Sequence, residues 1–199
     1  MAKAKAKSTK KTKKAAAGGG LSAGGDPVVG ILTGSPSDLP VVLKARDVLR
    51  DLGIPCDVRV LSAHRTPEAT VQYVQRAQDG GMEVLIACAG MAAHLAGVVA
   101  AHTTLPVIGV PLASGAIQGF DSLLSTVQMP PGIPVATVGV DGSKNAAFLA
   151  ARIVAATHPE VRERLEAQLD RDRERYDAPD PSKPSRAVAA FEKGSKKRK

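Results

Sequence analysis

The chain has 199 residues, 44% of them apolar, enough for one domain with one core. It has no Trp, only three Phe and two Tyr, which argues against nucleic-acid readers that stack bases on aromatic platforms. The net charge of +8 belongs to the termini: residues 1–25 contribute +7 and residues 180–199 contribute +5, leaving −4 on the segment between.

The lysine-rich N-terminal run lacks large apolar side chains and cannot offset its ordering entropy, so residues 1–26 read as a disordered basic tail. It lacks the apolar segment of a secretory signal and the arginines of a transit peptide. Residues 179–199, Pro-punctuated and ending in a basic cluster, read the same way. Such tails attract polyanions, or are solvated with no specific partner. The folded unit is expected over residues 27–178. No apolar run is long enough for a membrane span. Two cysteines, Cys56 and Cys88, are too few for a disulfide framework and read as buried thiols of a reducing, cytoplasmic protein.

From Val28 onward, short β-rich runs alternate with amphipathic stretches. Val28–Thr33 predicts a strand. Asp38–Leu52 predicts a helix, with Val42, Ala45, Leu49 and Leu52 on one face and Gly53 as its stop. Cys56–Leu61 predicts the second strand. Thr66–Gln78 predicts a helix with Thr66 as N-cap and Pro67 at its first position. Val84–Cys88, Val107–Val110 and Val135–Val138 predict further strands; Ala92–Ala101 and Ser143–Ala156 predict small-residue helices. Pro159–Tyr176 predicts a charged helix with Val161, Leu165 and Leu169 on a stripe that could cover its own subunit or a partner. Alternation of this kind argues for an α/β fold, a three-layer parallel sheet with helices on both faces, flavodoxin-like or Rossmann-like. Ligands of such sheets bind outside the carboxyl ends of the strands.

The loops at those ends carry the unusual residues. Gly34, Ser35 and Ser37 precede a helix start and can hold an anion through N–H groups and hydroxyls, or serve as an ordinary cap. Neither a Walker A nor a GxGxxG pattern is present. Arg65 can offer a guanidinium fork to a phosphate, or form a surface ion pair. Asp38 would repel phosphate and suits sugar hydroxyls. His64 precedes Arg65, and an imidazole, titrating at about 6.5 when unperturbed, suits proton transfer near neutrality. His94 can contact a ligand or pack at a helix start. No clustered His, Cys and carboxylate set points to a metal.

Four segments, Gly34-Ser35-Pro36-Ser37-Asp38, Ser62-Ala63-His64-Arg65-Thr66-Pro67, Ala89-Gly90-Met91-Ala92-Ala93-His94-Leu95 and Gln128-Met129-Pro130-Pro131-Gly132-Ile133-Pro134-Val135, resemble the PurE family of purine (IMP) biosynthesis. The resemblance spans about residues 28–157. It implies an isomerase that moves a carboxylate of N5-carboxyaminoimidazole ribonucleotide to ring carbon C4, without metal, ATP or biotin. Arg65 after His64 and the Ala92-Ala93-His94-Leu95 loop resemble this mutase class rather than the carboxylase class that takes up carbon dioxide. The resemblance further implies His64 as the proton-transfer group, and Ser35, Ser37, Asp38 and Arg65 around the ribose phosphate. Ser62, Ala63, Ala89, Gly90 and Ala92 would line the base and carboxylate site, with His94 nearby. It implies a homo-octamer with sites at subunit junctions and a C-terminal helix extending to a neighbour. Two departures stand out: residues 139–145 are about two residues shorter than the family's Gly-Lys-Ala-Gly-type segment, and Met91 stands where many relatives have Gly. The carboxylase, and a non-catalytic nucleotide-binding module with nucleic-acid-binding tails, remain open alternatives.

Overall fold

The computed structural model describes Leu21, residues 24–176 and Val188. Five strands, β1 (Val29–Thr33), β2 (Cys56–Val60), β3 (Val84–Gly90), β4 (Val107–Leu112) and β5 (Ala136–Thr137), form one parallel sheet in the order β2-β1-β3-β4-β5. Among the described residues, six helices connect and flank them: α1 (Leu39–Asp51), α2 (Pro67–Asp79), α3 (Leu95–Ala101), α4 (Phe120–Val127), α5 (Ser143–Val154) and α6 (Pro159–Tyr176). This is the flavodoxin-like order, with the direction of winding reversing between β1 and β3.

The strands alternate their side chains between two cores. Ile31, Ile86, Cys88 and Val110 face α1, α5 and α6, where Ala146, Ala147, Ala150 and Ala151 are wholly buried. The small side chains of α5 let it lie close against α1. Leu32, Leu85, Ala87 and Val107 face α2 and α3. Each fully buried Leu, Ile or Val contributes about 1.5–3 kcal/mol over its exposed state. Gly109 on β4 has no side chain because Thr126 of α4 and Val135 occupy that space.

Several sequence expectations change in detail. Helix α1 begins at Leu39, because Pro36–Asp38 forms a 3-10 turn capped by the Ser35 hydroxyl, which accepts from the Ser37 N–H. Thr66 does not cap α2 through its side chain: its hydroxyl accepts from the Ser62 N–H at 2.9 Å and donates to the Ser62 carbonyl at 3.1 Å. Helix α4 had no counterpart in the predicted elements. The α6 stripe divides, with Val161 and Leu165 buried in the chain's own core and Leu169 39% exposed.

Leu21, inside the expected N-terminal tail, packs against the first core. Its N–H donates to Glu160 Oε1 at 2.7 Å, which holds that carboxyl below the usual range. Apart from Leu21, residues 24–26 and Val188, the two expected basic tails lie outside the described residues. No helix among the described residues is long and apolar enough to cross a membrane.

Candidate active site

Parallel strands end on one edge, so the loops after β1, β2, β3 and β4 converge. Between them lies a cleft of about 250 Å³, near the small end of ligand pockets (roughly 300–1,000 Å³). All eleven residues singled out from the sequence line it. Ser35, Ser37 and Asp38 come from the β1 loop, and Ser62, Ala63, His64 and Arg65 from the β2 loop. Ala89, Gly90, Ala92 and His94 come from the end of β3 and the turn after it.

The β1 loop is a polar network. The Ser35 and Ser37 hydroxyls lie 2.7 Å apart, and the Asp38 carboxylate accepts from Thr33 Oγ1 at 3.2 Å and Ser37 Oγ at 3.3 Å. The Ser37 N–H donates to Ser35 Oγ at 3.3 Å, which is the ordinary cap of the two roles open to this loop. The two serine hydroxyls and Arg65 all line the cleft. Arg65 spans the gap from the β2 loop, donating from Nη2 to the Gly34 carbonyl at 2.7 Å. No carboxylate pairs with Arg65 among the described residues, so the bond steers the guanidinium to the cleft without neutralising it.

The β2 loop is rigidified from within: the Arg65 N–H donates to Ser62 Oγ at 3.2 Å and the Thr66 N–H to the Ser62 carbonyl at 2.9 Å. His64 therefore stands on a fixed turn. Its Nε2 lies 2.9 Å from His94 Nδ1, with the rings edge to face. His94 is the residue before α3 and makes no side-chain cap to that helix, so its imidazole is committed to His64.

Two contributors had been given no role from the sequence. Thr33, wholly buried at the last position of β1, orients Asp38. Ser114, two residues beyond β4, also lines the cleft. Met91 adopts φ of 55°, the left-handed region that favours glycine, and its side chain is 60% exposed at the rim. The 139–145 segment reaches the site's support: Asp141 Oδ1 accepts from the Ala113 N–H at 3.0 Å. Beneath the cleft, burial and then the Asp38 carboxylate push the Cys88 thiol up to about 12.

A hydroxyl-rich loop, a guanidinium with no carboxylate partner among the described residues and an imidazole pair stand together at the switch point of a parallel sheet, the place where α/β proteins of this class bind small ligands. Residues 28–175 match the AIR carboxylase family, and the chain belongs to it. It is 58% identical over 141 residues to an N5-carboxyaminoimidazole ribonucleotide mutase of Pyrococcus abyssi, covering 71% of this chain and 81% of that protein. It is 54% identical over 149 residues to the mutase of the same name from Mycobacterium tuberculosis, covering 75% and 86%. Among solved structures, Treponema denticola PurE superposes with a TM-score of 0.68 at 31% identity, covering 73% of this chain and 91% of that one.

Proposed function

We propose that this chain is an N5-carboxyaminoimidazole ribonucleotide mutase of purine biosynthesis. The observation that carries the reading is the convergence of His64, Arg65 and the Ser35–Asp38 loop on one cleft, in a chain 54–58% identical to enzymes of that name.

Arg65, Ser35 and Ser37 hold the phosphate, and Asp38, fixed by Thr33, accepts from the ribose hydroxyls. Ser62, Ala63, Ala89, Gly90 and Ala92 leave room for the aminoimidazole and its carboxylate. Protonated His64 gives its proton to N5; the N5–carboxylate bond breaks and carbon dioxide is released with N5 neutral. The electron-rich C4 attacks the trapped carbon dioxide, forming the new C–C bond. His64 then takes the C4 proton, restoring the aromatic ring and its own starting state. The proton lent equals the proton recovered, so an isomerisation needs no external acid or base. Holding the freed gas beside C4 makes recombination effectively unimolecular.

In a single chain His64 and Arg65 are exposed, so retention of carbon dioxide calls for a second subunit over the cleft. Helix α4 supports such a contact. Its polar Ser122 and Thr126 are buried, whereas Phe120, Leu124 and Val127 are 60%, 40% and 47% exposed, with Ile117 at 57% beside them. An apolar face turned outward in this way marks an interaction surface. We read it as the contact of a homo-oligomer, the octamer being the size that the family resemblance implies, in the cytoplasm.

The test offers each nucleotide separately. The reading expects turnover of N5-carboxyaminoimidazole ribonucleotide without ATP. Turnover confined to aminoimidazole ribonucleotide with bicarbonate would instead assign the carboxylase.

A further inference from the structure

The Ser114 hydroxyl is buried and has no hydrogen-bond partner among the described residues. A hydroxyl left in that state costs about 1–3 kcal/mol, so its retention calls for a reason. Its surroundings are also built around it. A methyl group added at Gly90 would collide with Ser114 Oγ, so the absent side chain there makes room for the hydroxyl. The backbone leading to it is pinned: the Ala113 N–H donates to Asp141 Oδ1 at 3.0 Å, and the Leu112 carbonyl accepts from Ser122 Oγ at 2.9 Å.

Its place in the cleft indicates what it meets. Strand order puts Arg65, Ser35 and Ser37 at the β2–β1 end and Ser114 at the β3–β4 end. A nucleotide anchored by its phosphate at the first end extends its base toward the second. There the lining is Ala89, Gly90, Met91, Leu95 and Ser114, whose buried hydroxyl lies directly behind Gly90.

We propose that Ser114 is a substrate-contacting residue whose hydroxyl donates a hydrogen bond to the migrating carboxylate; the assignment rests on the mutase reading above. A neutral donor suits that group. A cation would stabilise the carboxylate charge and oppose its departure as carbon dioxide. A hydroxyl can remain bonded to the same oxygen when the charge is lost and again when it returns at C4.

The experiment compares binding of two nucleotides by calorimetry: 4-carboxy-5-aminoimidazole ribonucleotide, and 5-aminoimidazole ribonucleotide, which lacks the carboxylate. Ser114→Ala should weaken the first about 10-fold or more, the scale of a hydrogen bond to a charged group, and leave the second nearly unchanged. Ser114→Thr, which keeps the hydroxyl, should hold most of the discrimination. Ser114→Ala should also melt at or above the wild-type temperature, since it removes an unsatisfied polar atom. A wild type that discriminates while Ser114→Ala loses both nucleotides equally, or neither, overturns the Ser114 assignment alone. A wild type that binds neither nucleotide removes the mutase reading and this proposal with it.

Discussion

His64 Nε2 and His94 Nδ1 lie 2.9 Å apart, so one of these nitrogens carries the proton and the other offers a lone pair. The tautomer of the proton-transfer residue is thereby tied to that of its neighbour, and two fully protonated rings would set N–H against N–H. His94 is thereby coupled to the choice of which His64 nitrogen carries the proton.

His94→Phe should therefore lower kcat by about 10-fold or more, toward the lower part of the range for lost proton-transfer groups, while KM for the nucleotide moves less. His94→Asn, whose amide can stand near the Nδ1 position, should retain more activity. Steady-state kinetics on both variants decide this, and equal losses would dissociate His94 from the His64 hydrogen bond.

Met91 holds a left-handed backbone conformation that costs a non-glycine residue about 1–2 kcal/mol. Met91→Gly should raise unfolding free energy by up to about 1 kcal/mol, the extra chain entropy of glycine offsetting part of the gain. Met91→Val should lower it, because a branched side chain suits that region least. Urea titration measures both, and a loss of stability in the glycine variant would contradict the backbone argument.

Burial raises the Cys88 thiol from its usual 9.0 to about 12 in the folded chain. The thiol favours folding fully below about pH 9. That contribution is withdrawn as pH climbs toward about 12, because the unfolded chain releases the proton first. Cys88→Ala should show a shallower fall of stability than wild type between pH 9 and 11 in denaturant melts. Parallel slopes would mean that Cys88 is not the residue responsible.

The outward apolar face of α4 should mediate assembly. Phe120→Asp should reduce the particle mass measured by light scattering while the circular dichroism spectrum stays native. An unchanged mass would remove α4 from the interface.

The sheet was legible because parallel strands are continuous apolar runs and their helices keep an apolar face toward them. Val161 and Leu165 obey that rule within one chain. Helix α4 defeats it: Ser122 and Thr126 face inward, bonded to the Leu112 and Ser122 carbonyls, so its apolar residues fall on the wrong face for a sequence reading. The cleft residues stood out as small, hydroxyl or imidazole side chains directly after strands. Thr33 did not, since a buried Thr in a strand looks like any β-branched residue. Ser114, a small residue in the loop after β4, drew no role because its environment comes from Gly90 and Asp141, both distant in sequence.

The most direct test of the central claim is turnover and binding by His64→Asn. It should bind 4-carboxy-5-aminoimidazole ribonucleotide within a few fold of wild type, because Arg65 and the Ser35–Asp38 loop are intact. Its turnover of N5-carboxyaminoimidazole ribonucleotide should fall about 10²–10⁴-fold, as for loss of a proton-transfer group. Full activity in that variant would contradict the account.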